Sequence, residues 1–190
     1  MVRIHLSDGS FFVLHAEVFA LSGLSTGAEV APRAVTALTA RSELVRARIA
    51  ALRLLSRSAH TRRGLARKLA ARGFDRAAVQ HALARMVELG YCDDRAFAEA
   101  WMRLRLSSGK NGAVALYRGL ISRGVARPLA QEVVGAMYPH KDELRDARRL
   151  ARGLSREAAI RRLRTRGFRA RAIAAALRGL AGKGDAPAEE

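Results

Sequence analysis

The sequence predicts an all-α protein of tandem three-helix repeats, similar to helix-turn-helix units and forming an elongated curved array, behind a small N-terminal β-hairpin. Its 190 residues are rich in alanine, leucine and arginine, and only 5% are aromatic. These residue types favour helices packed through small side chains over a β-sandwich. The other two observations behind the prediction are a repeated pattern around three glycines and an alternation of apolar residues near the N-terminus.

The N-terminal segment predicts a β-hairpin followed by a linker. Apolar and polar residues alternate from Val2 to Leu6, Ser7–Ser10 is a turn signal with an Asp-Gly pair, and Phe11–Leu14 is a second apolar run. Such a pattern is typical of two paired strands. A short helical piece is expected around Glu17–Leu21, and the glycines and proline of Ser22–Pro32 indicate a linker.

From about Arg41 onward the apolar residues follow a helical period. The expected buried face of the first helix, which ends near Arg57, consists of Leu44, Ile49, Leu52 and Leu55. Further helix starts are indicated by side chains that can accept a hydrogen bond from the first turn, namely Thr61, Asp75, Asp93 or Asp94, and Ser155. Helix ends are indicated by Gly73, Gly90 and Pro139, and Pro128 suits a first helical turn.

Three glycines, Gly73, Gly124 and Gly167, mark an internal repeat. Each follows an arginine and precedes an apolar residue, and a leucine stands four residues before it. Counted from each glycine, positions −8, −4, +6, +10 and +13 are apolar in all three repeats. They are Leu65, Leu69, Val79, Leu83 and Met86 in the first repeat, Leu116, Leu120, Ala130, Val134 and Met137 in the second, and Ala159, Leu163, Ile173, Leu177 and Leu180 in the third. Three matches in register predict three related units.

Each unit is then a helix, a glycine turn and a second helix, completed by a preceding helix. Glycine fits a left-handed turn residue, where a Cβ would be strained. Phe74 and Phe168 close the corner after the turn, so we interpret them as core residues and not as a stacking platform for bases. The expected division is 1–40 for the hairpin and linker, 41–95, 96–139 and 140–181 for the repeats, and 182–190 for an acidic tail.

The formal net charge is +18, and it is unevenly distributed. The formal net charge is −1 over residues 1–40, +12 over residues 41–140, +9 over residues 141–180 and −2 over residues 181–190. So large an excess of one sign exceeds what solubility requires. It predicts a polyanionic partner, nucleic acid above all, with a membrane surface as the alternative.

The arginine-rich helices supply the candidate binding residues. With Leu65, Leu69, Ile160 and Leu163 facing inward, neighbouring arginines remain outside with few acidic partners at helical spacing, so they should repel one another without an anion. The predicted binding residues are Arg62, Arg63, Arg67, Lys68, Arg72, Arg103, Arg105, Lys110, Arg161, Arg162, Arg164, Arg166, Arg169 and Arg171.

Catalysis is not predicted. Five histidines are scattered without metal-ligand spacing, and Cys92 is alone, so neither a disulfide nor an all-cysteine site can form within the chain. We interpret the Asp93-Asp94 pair as a helix cap, and Gly109–Gly112 as a flexible turn because it is too short for a phosphate loop. No cofactor is expected. The sequence shows no apolar run long enough to span a bilayer and no secretory signal, which favours the cytoplasm.

The order and spacing of these motifs resemble the RecX family of bacterial recombination regulators. The resemblance covers residues 41–180 and rests on Ala51–Leu55, Leu65–Leu69, Arg72–Phe74, Leu89–Asp94, Phe97–Trp101, Gly109-Lys110 with Gly112, Leu116–Leu120, Arg123–Val125, Arg161–Leu163 and Arg166–Phe168. The chain departs from the family after Gly112, where Ala113–Ala115 replace basic residues and weaken an anion site there. The resemblance implies a protein that lies along the RecA–DNA filament and restrains ATP hydrolysis and strand exchange in recombination, repair and the SOS response. We expect it to be a monomer.

Single- and double-stranded DNA are expected partners beside the RecA filament. The main alternative is a sequence-nonspecific DNA-binding protein that acts without a recombinase, or a helix-turn-helix transcription regulator. A helix-turn-helix reads bases from its second helix. In the first and third repeats that helix carries mostly alanines, as in Ala172–Ala176, and these are too short to reach base edges. We therefore expect contacts to phosphates and to protein, without a strong sequence preference.

Overall fold

The computed structural model describes residues 1–178 and is helical apart from one N-terminal hairpin, which confirms the predicted fold class. The expected acidic tail 182–190 and the repeat position Leu180 lie outside the described residues. The elements are β1 Val2–His5, β2 Phe11–Leu14, α1 Ala16–Ala20, α2 Pro32–Leu55, α3 Arg62–Ala70, α4 Arg76–Glu88, α5 Asp94–Leu106, α6 Ala113–Ser122, α7 Arg127–Met137, α8 His140–Ala151, α9 Arg156–Thr165 and α10 Ala170–Arg178. The chain divides into two units, Met1–Asp93 and Asp94–Glu190.

The hairpin pairs β1 and β2 antiparallel, with Val2 opposite Leu14 and His5 opposite Phe11. Gly9 supplies the positive φ, +82°, that the turn needs. Leu14 is fully buried, and the amide of His15 donates a 2.7 Å hydrogen bond to Oγ of Ser42 on α2. The hairpin is therefore anchored to the long helix that follows.

Helix α2 begins at Pro32 rather than at about Arg41, because a proline is well suited to the first turn and the alanines after it favour a helix. The predicted buried face is wrong in part. Leu52 is 38% exposed, whereas Ala47 and Ala51 are fully buried, because α2 packs closely against its neighbours through small side chains. Leu44, Ile49 and Leu55 are only partly buried at the edges of the packed face.

The first unit contains a three-helix core formed by α2, α3 and α4. Leu65, Leu69 and Met86 are fully buried at its centre. Thr61 and Asp75 cap α3 and α4, accepting hydrogen bonds from the amides of Gly64 (3.0 Å) and Ala78 (2.6 Å), as the sequence predicted.

The second unit contains two cores, one formed by α5–α7 and one formed by α8–α10. Met102, Leu116 and Leu120 are buried in the former, and Leu163 and Phe168 in the latter. Pro128 lies in the first turn of α7, and the Ser155 side chain caps α9 by accepting a hydrogen bond from the amide of Ala158, so both predictions are confirmed.

The repeat pattern corresponds to burial at nearly every described position. Gly73, Gly124 and Gly167 all have positive φ, at +85°, +95° and +71°. The −8 and −4 residues are fully or almost fully buried in each repeat. Leu83 and Met137 are only partly buried. Local helix periodicity therefore determines most of the core.

Candidate nucleic-acid interface

The predicted binding residues are exposed, with one exception. All fourteen have solvent-exposed side chains except Arg169, which is half-buried. The first unit carries Arg62, Arg63, Arg67, Lys68 and Arg72, and the second unit carries the other nine. Within each unit the sequence thus identified accessible cations.

The basic surface of α3 is set by its buried leucines. Because Leu65 and Leu69 face the core, the residues between them point outward. Nζ of Lys68 lies 3.2 Å from Nε2 of His60, and Arg72 donates a 3.0 Å hydrogen bond to the carbonyl of Lys68. Burial, and then the Lys68 ammonium, lower the pKa of His60 from its ordinary value of 6.5, so the neutral ring accepts from the lysine.

The basic surface of α9 is the least compensated. Leu163 faces inward, while Arg161, Arg162 and Arg164 are exposed. None of these three arginines forms an ion pair with a carboxylate in residues 1–178. Three guanidinium groups on one turn repel each other unless an anion lies between them. This surface is the strongest candidate for phosphate contacts.

Four further predicted residues lie in more varied surroundings. Arg169 lies 3.7 Å from the buried Glu143, and Arg103 lies 3.9 Å from Glu99, so both have acidic partners. Arg105 lies over the ring of Trp101, 5.4 Å from its centre. Lys110 is exposed in the turn before α6. These four residues are weaker candidates than the α9 arginines.

The N-terminus of α6 is occupied by the chain itself. The amides of Gly112 and Val114 donate to the carbonyls of Arg166 (2.9 Å) and Gly167 (3.0 Å), and the Ala113 amide donates to Oε1 of Glu143 (3.0 Å). Gly109 and Gly112 are buried, so the predicted flexible turn is in fact packed against the third core. A helix N-terminus attracts anions only when its amides are free, and these donors are used.

A groove that the sequence did not indicate lies between α2 and the turn after α3. It measures about 320 Å³ and is lined by Ala50, Arg53, Leu54, Arg57, Arg72 and Phe74. A neighbouring pocket of about 420 Å³ shares Ala50, Arg53 and Phe74 with it and adds Arg46. We call these two neighbouring pockets the Phe74 groove. The spacing of Arg46, Arg53 and Arg57, seven and four residues apart, was the available signal in the sequence.

Among residues 1–178 no group of three or more histidine, cysteine, aspartate or glutamate side chains is placed to hold a metal ion. Cys92 is buried, with Sγ 3.5 Å from the carbonyl of His60. In the described part of the chain no helix is both long enough and apolar enough to cross a bilayer.

Two family models match the chain. They are described as the first three-helix domain of RecX, over residues 47–86, and the second three-helix domain of RecX, over residues 93–134.

The chain is also similar to curated proteins named regulatory protein RecX. That of Streptomyces coelicolor is 36% identical over 72% of this chain and 76% of its own length. The protein of Thermus thermophilus is 37% identical over 62% of this chain and 80% of its own length. The protein of Caldanaerobacter subterraneus subsp. tengcongensis is 29% identical over 75% of this chain and 73% of its own length.

Two solved structures have the same fold. The crystal structure of RecX from Lactobacillus salivarius superposes with a TM-score of 0.66, at 19% identity, over 73% of this chain and 97% of the other. A second structure, described as a crystal structure of regulatory protein RecX, superposes with a TM-score of 0.69, at 19% identity, over 90% of both chains.

Proposed function

The chain belongs to the RecX family of regulatory proteins, and from this premise we propose that it binds the RecA–DNA filament and restrains its ATP hydrolysis and strand exchange. The observation that supports the proposal most directly is the uncompensated basic surface of α9, with Arg161, Arg162 and Arg164. A filament of nucleic acid and protein is a polyanion of the kind that such a surface binds.

The proposed action is steric and electrostatic. The exposed cations follow an acidic groove formed by nucleic acid and recombinase together, and the bound protein bridges adjacent filament subunits. Bridging hinders the motions that accompany ATP turnover, or blocks addition of further subunits. The family is one of regulatory proteins and not of enzymes, and the proposal needs no chemistry of the chain's own.

Sequence-specific recognition of DNA has less support. On α10, the second helix of the third repeat, the exposed residues are Ala170, Arg171, Ala174 and Arg178. Side chains that discriminate bases are amides, carboxylates or paired guanidinium groups held in the major groove. Alanines at two of these four positions favour phosphate contacts instead.

The experiment that tests the proposal measures the ATPase activity of RecA on single-stranded DNA, at fixed salt, with this protein added well below the RecA concentration. The control is an equally basic protein that belongs to a different family. Suppression by this protein, unmatched by the control, supports action on the filament. If the ATPase rate falls only when the DNA itself is saturated, the protein competes for phosphates and the alternative of a general DNA-binding protein replaces the proposal.

A further inference from the structure

Phe74 and Phe168 occupy the same position in two repeats, directly after the turn glycine, yet their surroundings differ. Phe168 is 4% exposed and belongs to the core of α8–α10. Phe74 is half-buried and lines the Phe74 groove. Phe74 packs against the first core, as the sequence predicted, but it is only partly buried and also lines an open groove.

Guanidinium groups surround the accessible ring of Phe74. Arg46 lies over it, with Cζ 5.9 Å from the ring centre, and Arg53, Arg57 and Arg72 line the same groove. Arg46 and Arg53 lie on one side of α2, within about 20° of each other on the helical wheel, and Arg57 follows two residues after the helix ends. A row of cations thus runs beside an aromatic ring.

No acidic side chain balances these arginines in the described structure. Among residues 1–178, the side chains that line the groove include no aspartate or glutamate, and none of the four arginines forms an ion pair. Glu43, the acidic residue of α2, accepts a 3.1 Å hydrogen bond from the amide of Asp75. The like charges therefore favour an anionic occupant.

We propose that the Phe74 groove binds single-stranded nucleic acid, with a base against the ring of Phe74 and the neighbouring phosphates on Arg46, Arg53 and Arg57. Proteins that bind single strands combine a basic groove with aromatic rings on which bases stack. In a duplex the base faces are covered by their neighbours, so a ring that lines a groove cannot stack on them. This proposal rests on the proposed function, which already names nucleic acid as part of the partner. It adds that the nucleic acid is single-stranded and that these residues bind it.

An acidic peptide would satisfy the guanidinium groups but would leave the aromatic ring without a specific partner. The ring is what favours a nucleic acid, because every base has a π-face that stacks on it. The test therefore has to separate stacking from charge.

A Phe74→Trp variant places a fluorescent reporter in the groove, and the unsubstituted protein serves as reference because its own tryptophan, Trp101, lies in the other unit. The difference between the two titrations isolates the groove. We expect a short oligothymidylate to quench the added tryptophan, and an abasic oligomer of equal length to bind more weakly. Equal quenching by polyglutamate, or equal affinity for the abasic oligomer, would overturn the proposal.

Affinity measurements on two kinds of variant complete the test. Phe74→Leu keeps an apolar side chain but removes stacking, so its Kd for oligothymidylate should rise roughly five- to 150-fold. Phe168→Leu changes the matched core position and should leave the Kd unchanged. Arg53→Glu should weaken binding, whereas Arg41→Glu, on the opposite side of α2 and with the same change in charge, should have a much smaller effect. If Phe74→Leu binds as tightly as the parent, the proposal is wrong.

The outcome is separable from that of the filament experiment. If the RecA ATPase is suppressed while the groove variants bind oligothymidylate normally, the filament proposal stands and the groove proposal fails. If the groove variants lose affinity for oligothymidylate while the ATPase is unaffected by the parent protein, the groove binds single strands and the filament proposal fails.

Discussion

Oε1 of Glu143 on α8 accepts a 3.0 Å hydrogen bond from the backbone amide of Ala113, the first residue of α6. The same oxygen accepts a second hydrogen bond, of 2.9 Å, from the amide of Arg169 before α10. Glu143 is fully buried, and its other oxygen lies 3.7 Å from Nε of Arg169. One carboxylate therefore joins the start of α6 to the start of α10 and fixes the second core against the third.

Replacing Glu143 should destabilise the second unit strongly. In Glu143→Ala the buried amide of Ala113 and the partly buried amide of Arg169 lose their acceptor, and the Arg169 side chain loses its partner, which should cost about 3–5 kcal/mol. Glu143→Gln keeps one acceptor oxygen and should cost less, about 1–2 kcal/mol. Denaturant unfolding followed by the fluorescence of Trp101 measures both. Glu157→Gln, at an exposed position on α9, is the control and should change little; equal stabilities for all three variants would contradict the role of Glu143.

The backbone at Gly112 leaves no room for a side chain. A Cβ there would overlap the backbone of Phe168 and the carbonyl oxygen of Gly167, although the φ of −81° is ordinary. Gly112→Ala should therefore cost roughly 1–3 kcal/mol, since the two turns must move apart. Gly135→Ala on α7 is the matched control, because its Cβ would meet nothing within 4 Å and alanine favours a helix by about 0.5–1 kcal/mol. We expect Gly112→Ala to lower Tm and Gly135→Ala to raise it. A higher Tm for Gly112→Ala would contradict the close contact between Gly112 and the turn at Gly167 and Phe168.

The repeat positions could be predicted because helix burial follows a local period. Leu69, Leu120 and Leu163 are fully buried as expected, since each lies one turn before a glycine that ends its helix. Glu143 could not be predicted, because its partner amides lie 30 and 26 residues away and a glutamate beside Asp142 and Arg145 is typical of an exposed face. Tertiary contacts, and not the local pattern, decide its burial.

The exposure of the candidate binding residues could be predicted to a similar degree. Exposure of the α3 and α9 arginines follows from the buried leucines between them. The row of Arg46, Arg53 and Arg57 was missed because α2 carries other arginines on other sides and Arg57 lies beyond its end, so composition does not single these residues out. Only the position of Phe74, brought beside α2 by the turn after α3, separates this row from the rest.

His60 should titrate below its ordinary pKa of 6.5, because burial and the Lys68 ammonium both disfavour the charged ring. A histidine with a lowered pKa in the folded state contributes stability above 6.5, and this contribution is lost as the pH falls through the folded-state pKa. An NMR titration of the ring protons measures the midpoint. Lys68→Met should raise the titration midpoint of His60 only part of the way towards 6.5, since the ring remains partly buried. A midpoint at or above 6.5 in the parent would contradict the predicted coupling.

Charge reversal on α9 should separate phosphate binding from folding. Arg161, Arg162 and Arg164 are exposed, so replacing all three by glutamate should leave Tm nearly unchanged. If each contacts one phosphate, the slope of log Kd against log salt should fall by about 0.7 per contact on single strands and about 0.9 on duplex DNA. The control with the same change in net charge reverses Arg118, Arg127 and Arg152, three exposed arginines of the second unit outside the predicted set.

The corresponding α3 variant, with Arg62, Arg63 and Arg67 reversed, tests the first unit in the same way. Half-inhibitory concentrations in the RecA ATPase assay should rise for both triple variants and much less for the control, because inhibition depends on where the charge lies and not only on its sum. Full inhibition by both triple variants would mean that α3 and α9 do not face the filament. Equal losses in the control and the triple variants would mean that the net charge alone drives binding, since long-range attraction does not distinguish positions on one unit.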